Sequence, residues 1–174
     1  MKVLGDGKHL RLVVRDGWEW AERVGSTGVV VLVAVTPGGE LVLVEQDRVP
    51  VGKRVLELPA GLVGDEDGGE GEEMAEAARR ELVEETGWDA TSLVRLTEGP
   101  SSAGLTNEVI TFFRADGLVR RGAGGGVPGE EITVHEVPLA EAVRFVRARE
   151  REGVVVDPKV WAGLFFAGAA PDPA

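Results

Sequence analysis

The 174-residue chain contains no cysteine, which excludes disulfide scaffolding and thiol chemistry and suits a reducing cytosol. No apolar run approaches the roughly eighteen residues of a membrane span, and the opening MKVLGDGKHL lacks the apolar centre of a secretory signal. These absences read as a cytoplasmic protein. Positive charge is scarce too: 19 Lys and Arg face 30 Asp and Glu, for a formal net charge of −11. Nucleic acid and anionic membranes bind through dense basic surface, so neither is expected as a partner. An anionic small molecule stays open if a metal and a few local cations receive it. Of the two histidines, His9 lies in the N-terminal segment and His135 inside an expected strand, and neither suits a catalytic base.

The length fits one domain with a proper core and is too short for two of ordinary size. Asp16-Gly17 between HLRLVVR and WEWAERV predicts a β-hairpin, because that dipeptide accommodates a two-residue turn. Gly28–Thr36 is a nearly continuous Val/Leu run, as in a strand buried on both faces. Leu41–Gln46 reads as an alternating strand, and Val55–Leu58 as a short one leading to Pro59-Ala60-Gly61. Further strands are expected at about 93–97, 108–115 and 132–137. The stretch 121–129, RGAGGGVPG, is flexible by composition, as a mobile lid or a plain connection. Leu139–Glu152 and Pro158–Ala167 read as helices, the second with Asp157 as N-cap and Pro158 in its first turn. The expected fold class is α+β, a mixed β-sheet flanked by helices, with no internal repeat.

The stretch of greatest chemical interest is ELPAGLVGDEDGGEGEEMAEAARRELVEETGW, residues 57–88. Met74, Ala78 and Leu82 recur every four residues, the period of a helix with one buried stripe, and Gly87 stops it. Glu81, Glu84 and Glu85 then share one side of its last turn. Like charges four apart cost roughly 0.2–0.5 kcal/mol per pair, and acids at a helix C-terminus oppose its dipole by about another 0.3–1 kcal/mol each. Arg80 alone cannot balance three carboxylates. A hard divalent cation with oxygen ligands can, which predicts a metal seat.

Glu72, seven residues, Arg80-Glu81-Leu82, one residue, Glu84-Glu85, one residue, then Gly87 and Trp88 resembles the Nudix box. The family's opening glycine would fall at Glu66; Gly61 takes that place if about five extra residues loop out within 64–71. Around the box, Glu45-Gln46-Asp47-Arg48, PVGKR and ELPAG are similar to the ADP-ribose and ADP-sugar pyrophosphatase branch. The resemblance spans roughly residues 10–167 and implies the Nudix fold, an α/β/α sandwich, over 28–168. It also implies an N-terminal antiparallel hairpin segment at 1–27, exchanged in a homodimer, and a disordered tail completes the chain at 169–174.

The implied activity is Mg2+-dependent hydrolysis of a nucleoside diphosphate sugar, ADP-ribose to AMP and ribose 5-phosphate, with Mn2+ as the substitute ion. By the same resemblance Glu81, Glu85 and the Ala60 carbonyl hold metal, and Glu84 stands behind or shares them. Arg80 orients the acids, and Glu130 (with Glu131 as the alternative) activates water or binds metal. Trp18, Glu19 and Arg23 resemble a W-E-x-x-x-R stretch whose aromatic ring stacks on adenine. Arg48 and Arg23 are expected on the substrate's phosphates, or else in surface ion pairs. The loop Ser102-Ala103-Gly104-Leu105-Thr106-Asn107-Glu108 resembles a substrate-binding S-P-G-x-T-D-E loop, with Ala103 in place of the proline that marks ADP-ribose specificity. Rival readings are a Nudix enzyme for GDP-mannose, dinucleoside polyphosphates or a coenzyme A derivative, an isomerase on the same scaffold, and a non-catalytic nucleotide-binding module. Intact box acids count against the last, and the lack of cysteine against the isoprenoid isomerase.

Overall fold

A computed structural model describes residues 1–64, 71–127 and 129–168. The layers form around β4 (Gly28–Ala34), whose residues from Val30 to Ala34 are all fully enclosed. Successive side chains of a strand point to opposite faces. Val31 and Val33 therefore enter one core with Leu41, Leu43, Leu56 and Phe112, while Val30, Leu32 and Ala34 enter a second with Ala77, Ala78 and Leu82. Burying a Val or Leu side chain stabilises by about 1.5–3 kcal/mol, so this strand anchors both layers at once.

One sheet has the order β7 (Ala60–Val63), β4, β9 (Val109–Arg120), β8 (Trp88–Pro100), with β4 and β9 parallel. A second has the order β10 (Thr133–Pro138), β5 (Glu40–Arg48), β6 (Lys53–Glu57), β11 (Val155–Val156), with β6 and β11 parallel. Helix α1 (Met74–Thr86) supplies Ala77, Ala78 and Leu82 to one core; α2 (Leu139–Arg151) and α3 (Pro158–Ala167) supply Ala142, Val146, Val160 and Leu164 to the other. The result is the expected α/β/α sandwich. The Asp157 side chain caps α3 by accepting from the Lys159 N–H at 2.8 Å, next to Pro158, as read from the sequence. No described helix is long and apolar enough to cross a membrane.

Ahead of the sandwich stands a separate antiparallel sheet of β1 (Lys2–Asp6), β2 (Leu10–Arg15) and β3 (Trp18–Arg23). The Asp16-Gly17 turn has φ of 54° and 82°, the pair of positive angles that matches strand twist in a two-residue hairpin. The expected hairpin is thus present, with a third strand added, and all of β1 is exposed.

Several strands differ from their sequence reading. β5 does not alternate: Leu41 to Gln46 are all buried, because Leu41 and Leu43 face one core and Val42 the other. β8 and β9 run to 13 and 12 residues, longer than expected, since their cross-strand pairing continues through polar, solvent-facing positions. Strand β7 is not among the expected strands and exists through its pairing with β4. The tail at 169–174 and residues 65–70 of the inserted loop lie outside the described residues. The Gly64 N–H, just before those residues, donates to Glu72 Oε2 at 3.0 Å.

Candidate active site

Helix α1 buries Ala77, Ala78 and Leu82 against the β4 sheet and ends at Gly87, which is left-handed at φ 73° and donates its N–H to the Val83 carbonyl. That orientation is fixed by the apolar stripe and turns Glu81 and Glu85 toward β7. The Glu85 carboxylate is 6% exposed, and its Oε2 accepts from the Ala60 N–H at 3.0 Å. Burial pushes this carboxyl up to about 8; Glu81 and Glu130 add to the shift, while the Ala60 N–H and Arg48 oppose it. Glu81 lies flat on Gly61: a methyl group there would sit 1.9 Å from Glu81 Cδ. Gly61 is therefore the glycine that lets the strand and the acid approach each other.

The Arg80 guanidinium organises the neighbouring acids. It donates to Glu81 at 2.8 Å, to Glu84 and Glu72 at 3.2 Å each, and to the Leu62 carbonyl at 3.1 Å. Burial works against its charge, yet Glu72 and Glu81 hold it more firmly protonated than usual. Glu72 in turn is kept below the ordinary carboxylate range, chiefly by its bond to Arg80. The expected orienting role of Arg80 has its geometry, and Glu72 is a member of the network that sequence reasoning left without a role.

Arg48 grips Glu57 with two hydrogen bonds, at 2.8 and 3.2 Å. Burial lowers its proton affinity, but Glu57 outweighs this, with Glu85 and Glu130 adding to the effect. Arg48 and Glu57 thus meet directly, and Glu85 lies within electrostatic reach of Arg48, Glu81 and Glu130, although these residues are scattered from residue 48 to residue 130. Glu57, buried, was missed by sequence reasoning. The signal was the hairpin register, which puts Glu57 and Arg48 on one face of the β5–β6 pair. Glu130 and the alternative, Glu131, are both exposed and adjoin each other just before β10.

Trp18 is 68% exposed and, with Arg15, Glu19, Trp20, Ala103 and Gly104, lines a cleft of about 340 Å³. Leu105 fastens the 101–107 loop to β3, its carbonyl accepting from the Ala21 N–H at 2.9 Å. Arg23 is not brought to this cleft. It lies at the far end of β3 from Trp18, where it pairs with Glu108 at 2.8 Å. The two residues read from the sequence as one binding unit therefore serve different surfaces within a chain.

Among the described residues no three His, Asp or Glu side chains stand close enough together to hold a metal ion by themselves. The donor chemistry nevertheless fits a hard cation. The buried Glu85 carboxylate has the Ala60 N–H as its hydrogen-bond donor and lies in the repulsive field of Glu81 and Glu130, an arrangement that a divalent ion would relieve.

A match to the NUDIX domain covers residues 26–157. The chain belongs to the Nudix family. An ADP-ribose pyrophosphatase of Bacillus subtilis is 35% identical over 130 residues, 74% of this chain and 68% of that protein. A GDP-mannose pyrophosphatase of Cronobacter sakazakii is 35% identical over 156 residues, 84% of this chain and 75% of that protein. The crystal structure of an ADP compounds hydrolase shares the fold, with a TM-score of 0.69 and 20% identity over 94% of this chain and 87% of that one. This Nudix chain is a pyrophosphohydrolase, of a family that generally uses divalent metal. The match begins after β3 and ends before α3, so Trp18 lies outside it.

Proposed function

We propose that the enzyme hydrolyses the diphosphate of a nucleoside diphosphate sugar, ADP-ribose first, to AMP and ribose 5-phosphate, with Mg2+ and with Mn2+ as substitute. The observation that carries this reading is the buried Glu85 side chain, held by the Ala60 N–H at 3.0 Å and within electrostatic reach of Glu81, Glu130 and Arg48. Glu81, Glu85 and the Ala60 carbonyl would hold the ion, which supplies charge neutralisation and Lewis acidity toward a diphosphate. Arg80 orients Glu81 and Glu84 through its forked bonds. Glu130 accepts the proton of the attacking water; the water oxygen bonds to phosphorus, and the bridging oxygen leaves with the other phosphate. Arg48, held by Glu57 at 2.8 Å and within electrostatic reach of Glu85 and Glu130, would meet a phosphate oxygen of the substrate.

Trp18 offers its exposed ring to the base. Val3, Leu10 and Leu12 are 46%, 52% and 42% exposed on the same N-terminal sheet, which supports a homodimer in which a second copy covers it. In that arrangement Arg23 could serve the partner's substrate. The cysteine-free, acidic composition supports a cytoplasmic enzyme without nucleic-acid or membrane partners.

A GDP-sugar is the second reading, favoured because the GDP-mannose pyrophosphatase relative covers more of this chain than the ADP-ribose relative. Incubation with a panel of nucleotide conjugates and Mg2+ separates the two: AMP release from ADP-ribose is expected, GMP from a GDP-sugar would select the second, and no monophosphate from any would overturn both. Trp18→Ala is expected to raise KM for ADP-ribose about tenfold with kcat kept, since a base stacked on an aromatic ring gains about 1–3 kcal/mol. An unchanged KM returns Trp18 to packing. Gly61→Ala is expected to push the Glu81 carboxylate aside, lowering kcat about tenfold or more while Tm holds. Wild-type kcat in that variant would remove Glu81 from the site.

A further inference from the structure

The glycine-rich run after β9 is neither a lid hanging free nor a plain connection. It crosses the C-terminal end of α1 and donates backbone N–H groups to carbonyls that a helix end leaves unsatisfied. Arg121 and Gly122 donate to the Gly87 carbonyl at 2.8 and 3.1 Å, Gly125 to that of Glu85 at 2.8 Å, and Gly126 to that of Glu84 at 3.0 Å. These donors also face the negative end of the helix dipole.

The approach leaves no room for a side chain. A Cβ on Gly124, at φ 72°, would lie 2.4 Å from the Thr86 carbonyl carbon and 2.6 Å from the Glu85 oxygen. One on Gly126, at φ 85°, would lie 2.5 Å from the Glu130 carboxylate. Beyond the run the chain folds back: Glu130 Oε2 accepts from the Val127 N–H at 3.1 Å, and the Ile132 N–H returns to the Gly125 carbonyl at 3.3 Å. Glu84 and Glu85 thus use their side chains at the site and their carbonyls to anchor the segment that carries Glu130.

We infer that docking of Gly122–Gly126 on the α1 carbonyls positions the Glu130 carboxylate beside Glu85, with Gly124 as the positioning residue that permits the contact. The inference rests on the role given to Glu130 above. A loop tied only at its two strand ends would let Glu130 sample many placements, whereas four backbone bonds within six residues fix its base to the helix that carries the other acids.

The test is a double-mutant cycle of Gly124→Ala and Glu130→Gln, read as kcat and KM with Mg2+ and the best nucleotide conjugate, alongside amide exchange. Gly124→Ala is expected to lower kcat about ten- to a hundredfold, to keep KM within about twofold, and to speed exchange at Gly125 and Gly126 while Leu32 and Leu43 stay protected. In the Glu130→Gln background the same substitution is expected to cost no further turnover. An equal loss in both backgrounds overturns the inference alone, as does wild-type turnover in Gly124→Ala with Gly125 and Gly126 deprotected. Wild-type turnover in Glu130→Gln alone removes the role of Glu130, and the positioning inference falls with it. If Gly124→Ala does not fold, Gly126→Ala carries the same cycle, with the same outcomes deciding.

Discussion

Glu85→Gln is expected to leave less than a hundredth of wild-type turnover, a loss of at least about 2.7 kcal/mol in transition-state stabilisation. Gln has nearly the same volume and keeps an oxygen to accept the Ala60 N–H, so the bond at 3.0 Å survives. What disappears is the negative charge that makes this buried position a seat for a cation. The fold is expected to tolerate the change, because burial already favours the uncharged carboxyl there. The chelated proteins should show this directly. With a folded-state value of about 8 against an ordinary 4.5, the unfolded chain loses its proton first as pH rises. The wild type therefore loses stability between those two values and keeps it fully below the lower one. The Gln variant lacks that slope. Tm against pH for both chelated proteins, together with kcat for both in Mg2+, checks the argument. Turnover above a hundredth of wild type would mean that Glu85 does not hold the ion.

Arg80→Ala is expected to be the most destabilising single change in the site. Its side chain is 19% exposed and serves Glu72, Glu81, Glu84 and the Leu62 carbonyl together. Removing one partner of a buried ion pair costs about 3 kcal/mol at the lower end of the usual range. Partial wetting of these carboxylates argues for that lower end, which corresponds to a fall of about 10 °C in Tm for a chain of this size. The three acids left behind repel one another, so Mg2+ is expected to recover part of the loss in the variant. Equal losses with chelator and with Mg2+ would show that Arg80 only packs, and that the acids it touches are not the ion's ligands.

The motif helix was legible because its evidence is local: an apolar step at Met74, Ala78 and Leu82 and a terminal glycine. β4 was legible because seven consecutive apolar residues, Val29 to Val35, fit a strand buried on both faces. β7 and β11 were not, since Ala60-Gly61 and Val155-Val156 carry no period long enough to read and become strands through pairing with β4 and β6. The separation of Arg23 from Trp18 follows from their places at opposite ends of β3 and the pairing of Arg23 with Glu108, which the motif, presenting them as a unit, did not show.

From the sequence alone came the family, the sandwich and the cluster of acids, because box spacing, strand burial and helix period are encoded by residues near each other in the chain. Tertiary structure decided which distant groups meet. Glu57 clamps Arg48 across a hairpin, Glu81 rests on Gly61, and a glycine run that reads as loose tethers Glu130 to the end of α1. A glycine run permits either slack chain or the closest backbone approach, and only the surface opposite it, here a row of unsatisfied helix carbonyls, selects between them.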